Sequence, residues 1–159
     1  MRAALRPSGF TMIELVVVIV VLAIVSAVIA SRVGTLDAPA PGQAAVLRSH
    51  LFHVQSRALK SGNPWGLSCS GTEYWIFTGT NPNDASKEAP LPGEDAKHVD
   101  LSDKGVGITA FTVVYDAYGR PETTGGVLLN TNLNITVQST GNPASTASLS
   151  IIAETGYVQ

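Results

Sequence analysis

The chain has 159 residues, a formal charge of −2 and one cysteine, so it holds a single globular domain beside any anchoring segment and closes no intramolecular disulfide. A second catalytic domain does not fit in that length. Removing a leader that carries Arg2 and Arg6 takes the charge from −2 to −4, and no Lys or Arg follows Arg120, which argues against a nucleic-acid partner held by bulk charge.

The first feature in chain order is RPSGFTMIELVVVIVVLAIVSAVIA, residues 6–30. From Leu15 to Ala30 it is Val, Ile, Leu and Ala apart from Ser26, and a helix counted over 10–33 is about 36 Å long. That crosses a bilayer core of about 30 Å, where each peptide group must be bonded within its own segment, so helix is forced in spite of the β-branched run. Arg2 and Arg6 precede the run and no acid occurs before Glu14, the charge bias of a cytoplasmic N-terminus with the polar bulk exported. Glu14 itself is costly: an unpaired carboxylate nearing the bilayer centre is unfavourable by about 2 to 3 kcal/mol. The alternative is a secretory signal peptide cut before Ser31. The length of the apolar run and the acid at its mouth both count against that reading.

Gly34, Pro39 and Pro41 then disfavour helix, giving an expected linker over 34–42. A second helix is expected over 43–61, where Ala44, Leu47, Leu51, Val54 and Ala58 recur on one face and Arg48, His53, Ser56, Arg57 and Lys60 lie mostly elsewhere; Gly62 and Pro64 supply its stop. From 64 to 159 the period changes to two. Strands are expected over 65–70, 73–78, 107–115, 127–130, 133–138 and 148–153, separated by Gly, Pro, Asn and Ser. Cys69, alternating with Trp65 and Leu67, reads as a small core residue. The fold class is α+β: a long N-terminal helix, then a head over 43–159 in which one amphipathic helix packs on antiparallel sheet.

The remaining chemistry is thin. Residues 80–104 hold six acids and three lysines and read as a solvated loop; Asp84, Glu94, Asp95, Asp100 and Asp103 are calcium-ligand types, but their spacing fits no EF-hand. His50 and His53 read as surface residues of the second helix, with no further ligands at zinc spacing near them or near His98. Asn134-Ile135-Thr136 matches a glycosylation acceptor inside an expected strand. No nucleophile with its base, and no phosphate loop, is visible, so no enzyme activity, cofactor, metal or small-molecule substrate is expected.

GFTMIELVVVIVVLAIV resembles the leader junction of type IV pilins and pseudopilins. The resemblance implies a leader over 1–9 ending at Gly9, cleavage by a prepilin peptidase, N-methylation of Phe10 as the new first residue, and a register role for Glu14. Cutting after Gly9 frees an α-amine with a pKa of about 7.7 to 8.0. An amine and a carboxylate about 4 Å apart attract by roughly 4 kcal/mol at an effective dielectric near 20, enough to offset the cost of Glu14. In the family this pair forms between neighbouring subunits. Such pilins usually carry one long helix broken near its middle, whereas here a proline-rich interruption separates two.

The stretches LRSHLFHVQSRALKSGNPWGLSCSGTEYWIF, VVYDAYGRPETTGGVLL and SLSIIAETGYVQ are similar to the GspH/FimT group of minor pilins and minor pseudopilins, with Arg57, Lys60, Asp116, Gly119, Arg120, Thr155 and Gly156 at the places of that group's motifs. The implied function is a structural subunit of a type IV pilus-like filament or a type II secretion pseudopilus, helping to initiate or complete assembly. The implied partners are other pilins or pseudopilins, the prepilin peptidase and the inner-membrane assembly platform. The implied location is the bacterial inner membrane, single-pass with a periplasmic head, and then an extracytoplasmic filament. Two alternatives stand beside it: a filament-tip module binding DNA or a surface ligand, for which the C-terminal region lacks basic charge, and a signal-anchored or secreted β-rich protein.

Overall fold

The computed structural model describes residues 11–36, 39–141 and 144–159, with the side chains of 29–36 outside the description. The chain divides into two compact units, Met1–Asp37 and Ala38–Gln159. The first contains helix α1 (Met12–Leu36). The second is the head, whose core among the described residues runs from Ala40 to Val158.

Helix α2 (Pro39–Ser61) begins earlier than its apolar periodicity suggests. The expected linker over 34–42 is thus largely helical, since α1 continues through Leu36 and α2 takes Pro39 and Pro41 into its first turn. The first N–H groups of a helix have no intrahelical partner, so proline there gives up no bond. One of those groups, Ala40 N–H, instead donates to Ser145 Oγ at 3.4 Å. At the other end Gly62 closes the helix with φ +65 and an N–H bonded to Ala58 O at 3.0 Å.

Nine strands follow among the described residues: β1 (Trp65–Cys69), β2 (Glu73–Thr78), β3 (Glu88–Ala89), β4 (His98–Asp100), β5 (Val106–Ile108), β6 (Phe111–Tyr115), β7 (Pro121–Glu122), β8 (Leu133–Ser139) and β9 (Thr146–Ile151). They form a six-stranded sheet in the order β3-β2-β1-β6-β7, with β4 also on β2, and a three-stranded sheet β5-β8-β9. All described pairings are antiparallel. The pilin-like α+β architecture expected from sequence is the architecture observed.

The apolar face of α2 lies across both sheets. Leu47, Leu51, Val54 and Ala58 are buried with Leu67, Ile76, Val113 and Tyr115 of the large sheet and Ile135, Val137 and Ile151 of the small one. Each such side chain contributes about 1.5 to 3 kcal/mol when removed from water. On the opposite face of the large sheet, Gly66 sits in register with Phe77 and Val114, both fully buried. The tip of the Phe77 ring occupies the space a Cβ at Gly66 would need. Sequence alternation assigned Gly66 and Ser68 to an outer face; that face is covered too, so β1 is buried at every position.

Three strand expectations change. The expected strand over 107–115 is two, β5 and β6, because the chain passes from the small sheet to the large one at exposed Thr109 and Ala110. Residues 127–130 form only the bridge Glu122↔Leu128, with Val127 and Leu128 exposed. The segment 80–104 is not a free loop: β3 and β4 pair along β2, and Leu91, Val99 and Leu101 enter the core.

His50 is the clearest correction. It is not a surface residue but 4% exposed, with Nε2 at 3.1 Å from Pro92 O and Nδ1 at 2.9 Å from Tyr74 Oη. A carbonyl only accepts, so Nε2 carries the proton and Nδ1 receives the Tyr74 hydroxyl, which in turn accepts from Gln43 Nε2 at 3.4 Å. Burial holds His50 below its ordinary pKa, against the Pro92 carbonyl and Glu94, which favour the charged ring.

Two outcomes are expected. Gly66→Ala forces the Phe77 ring aside and should cost the head about 1 to 3 kcal/mol, read as a lower urea midpoint at constant slope; an unmoved midpoint would mean the ring has room to shift. Because His50 titrates lower folded than unfolded, its contribution is present above about pH 6.5 and lost as pH falls below that value toward the folded one. The urea midpoint of His50→Asn should therefore fall less between pH 7 and 5.5 than that of the parent head.

Candidate functional site

The sequence places function at the N-terminal junction. Gly9 and Phe10 lie outside the described residues, and Glu14 stands in the first turn of α1. Thr11 precedes the helix, and its carbonyl and hydroxyl both receive Glu14 N–H, at 3.1 and 3.3 Å. Thr11-Met12-Ile13-Glu14 is thus the spacing of a capping box, in which a Thr before the helix meets an acid three residues on. The helix N-terminus also favours a negative charge by about 0.3 to 1 kcal/mol. Glu14 is therefore suited to its own helix before any partner is considered.

Beyond Glu14 the described side chains of α1 are apolar all round except for Ser26. Exposure runs from 87% at Met12 to 46% at Val25, with no covered stripe. A helix of that kind is fitted for lipid or for the interior of a bundle. Among the described residues no helix is long and apolar enough to cross a membrane. The described α1 side chains end at Val28, about 26 Å from the helix start against a bilayer core of about 30 Å, so the expected span over 10–33 lies partly outside them.

The second group of expected motif residues meets at the far end of α2. Asp116 accepts at Oδ1 from the backbone N–H of Tyr118 and Arg120, at 2.9 and 2.8 Å, and at Oδ2 from Arg120 Nε at 2.8 Å and Nη2 at 2.7 Å. Burial opposes the charge, but the Arg120 N–H and guanidinium and the Tyr118 N–H prevail and hold the Asp116 carboxyl below its ordinary pKa. Gly119 in this turn has φ +75 and lies against Leu59 of α2.

The residue that joins these motifs is Gln55, which sequence reasoning passed over. Its Nε2 donates to Gly119 O at 2.8 Å and to Thr155 O at 2.9 Å. Gly156, with φ +68, fits beneath: a Cβ there would stand 2.7 Å from both Gly119 O and Tyr115 Cε1. Arg57 lies over the Trp65 ring at 4.8 Å, and Lys60 is exposed in the last turn of α2. The Asp-x-x-Gly-Arg turn and the terminal Thr-Gly are therefore a structural lock between helix, large sheet and C-terminus. Tyr118, 77% exposed with Arg120 at 5.2 Å from its ring, marks the solvent side.

The calcium-ligand types are dispersed into local roles. Asp84 receives Ser86, Asp100 receives Ser102, and Glu94 pairs with Lys104 at 3.6 Å. Among the described residues no group of His, Cys, Asp and Glu side chains is arranged to hold a metal.

Residues 6–30 match the family model described as the prokaryotic N-terminal methylation motif. The fold is similar to the crystal structure of the type IV minor pilin FimU of Pseudomonas aeruginosa strain PAO1, with TM-score 0.52 and 14% identity over 74% of this chain and 85% of that one. No curated protein sequence matches the chain. The chain thus carries the N-terminal methylation motif, and its fold is similar to that of a type IV minor pilin.

Gln55→Ala leaves two carbonyls without their donor and should destabilise the head by about 1 to 3 kcal/mol. Gly156→Ala adds a strained φ and a backbone collision, so it should cost more than Gln55→Ala. Thermal melting of the two variants beside the parent head checks the order; equal melting temperatures for all three would refute the lock.

Proposed function

We propose that the chain is a minor pilin or minor pseudopilin, a subunit that helps to initiate or complete a type IV pilus-like filament or a type II secretion pseudopilus. The observation that carries this reading is Glu14, a lone acid in the capped first turn of a helix whose other described side chains are apolar apart from Ser26. Cleavage between Gly9 and Phe10 by a prepilin peptidase supplies the amine that Glu14 lacks, and methylation of Phe10 leaves that amine basic. The pair is formed with a neighbouring subunit, so Glu14 sets the register of assembly. Its separation inside an apolar bundle would leave a buried, uncompensated charge.

The minor-subunit reading draws support from three features. The solved relative in fold is a minor pilin. The single cysteine, Cys69, is buried, so the head is held by packing and by the Gln55 lock rather than by a disulfide. The residues that carry the GspH/FimT resemblance at Asp116, Gly119, Arg120, Thr155 and Gly156 gather around Gln55 at one end of the head. The partners are other pilins or pseudopilins and the inner-membrane assembly platform, with the N-terminus cytoplasmic and the head periplasmic before assembly.

Glu14→Val should reach the membrane fraction in normal amount and be several-fold depleted from sheared filaments. Normal incorporation of that variant would remove the register role. Mass spectrometry of the mature chain is expected to find methylated Phe10 first, whereas a chain starting at Ser31 would make the protein a secreted one.

A further inference from the structure

The segment 80–104 lies strapped along the outer edge of β2, and one imidazole joins three strands there. His98 of β4 stacks on Trp75 of β2, with ring centroids 4.9 Å apart and planes at 9°. Its Nδ1 is 3.1 Å from Glu73 Oε2 on β2, and its Nε2 is 3.2 Å from Glu88 Oε1 on β3. An ionised carboxylate only accepts hydrogen bonds, so both contacts are bonds only when both ring nitrogens carry protons. A neutral ring must turn one lone pair toward an anion. The geometry is therefore that of an imidazolium held between two carboxylates.

The surroundings favour the same state. Glu94, Asp95, Asp100, Asp103 and Lys104 line the depression beside the ring, and Lys104 is engaged by Glu94 at 3.6 Å. Partial burial disfavours the charge on His98, but the hydrogen bonds and charges of Glu73 and Glu88 outweigh it and raise the pKa above its ordinary value.

We propose that His98 is a proton-operated clamp that fastens the 80–104 strap to β2 when charged and loosens it when neutral. The β2–β4 ladder is only Glu73↔Asp100, Tyr74↔Val99 and Trp75↔His98, at the margin of the sheet, where a lost contact opens the structure first. Loosening leaves the outer edge of β2 without ladder partners. The folded pKa lies above the unfolded one, so the clamp is closed below about pH 6.5 and is lost as pH rises through the folded value. It is a property of the head, whichever filament the head serves.

The test is a pH titration of the head, Ala38–Gln159, which carries its own core. Histidine ring NMR signals and backbone hydrogen exchange, corrected for its intrinsic pH dependence, are read together. His98 should titrate above 6.5, and protection over 88–100 should fall several-fold as pH passes that value while β8 and β9 keep theirs. Glu73→Gln and Glu88→Gln should each lower the His98 value and flatten the response, and His98→Gln should abolish it. A His98 titrating at or below 6.5, or strap protection that ignores pH in the parent head, overturns the clamp.

Discussion

The apolar face of α2 is the surface on which both sheets close. A three-stranded sheet with one apolar face is marginal in water by itself, and β5-β8-β9 has Ile135, Val137 and Ile151 to bury. The large sheet presents Leu67, Ile76 and Val113 to the same helix. The register of the small sheet depends on that cover, because a one-residue slip would send Ile135 and Val137 to the side on which Asn134 and Gln138 are exposed. Polar residues on the inner side of α2 are accordingly few and engaged. Gln43 and His50 share Tyr74, and Gln55 serves two carbonyls.

Gln55 shows how the rest of the head depends on that helix. Its two acceptors lie 64 and 100 positions away along the chain, so one amide ties the Asp116–Arg120 turn and the C-terminus to α2 together. The C-terminus is held from its other side as well, since Ser150 and Gln159 exchange both backbone bonds at 3.0 Å. Gly156 allows the approach because only a residue without Cβ fits against Gly119 O and Tyr115. Motif residues that look functional in the linear chain thus act by closing the fold.

The sequence made periodic elements legible and contact-defined ones illegible. The buried positions of α2 and the β1–β2 hairpin follow from periods of 3.6 and 2. The break between β5 and β6 was present as a slip in alternation, with Val106 and Ile108 inside, then Phe111, Val113 and Tyr115, and two exposed residues between. By contrast, β3, β4 and β7 are two or three residues long, too short for any period, and exist because an edge of sheet was available to pair with. His50 was assigned to the surface because a polar side chain on a helix ordinarily faces water; its burial depends on Tyr74 and Pro92, neither of them near it in the chain. Gln55 carried no local signal beyond its place at the border of the apolar face. At the N-terminus Gly9, Phe10 and Glu14 formed a compact local motif, and the structure adds the Thr11 cap that makes Glu14 a natural first-turn residue.

The two units meet the problem of apolar surface in opposite ways. The head buries its large side chains within itself, whereas α1 leaves its described ones uncovered around the whole helix. Exposed apolar surface of that extent is suited to cover by lipid or by like helices. Once such a helix is in lipid, the hydrophobic effect no longer favours leaving lipid for another helix, and association must come from close packing or from polar pairs. Glu14 is the one ionisable side chain among the described side chains of α1, which run from Met12 to Val28. Under the proposed filament role, the group that would be unfavourable in lipid is therefore the one able to make transfer to a neighbouring helix favourable, provided that neighbour presents a positive charge at the same depth.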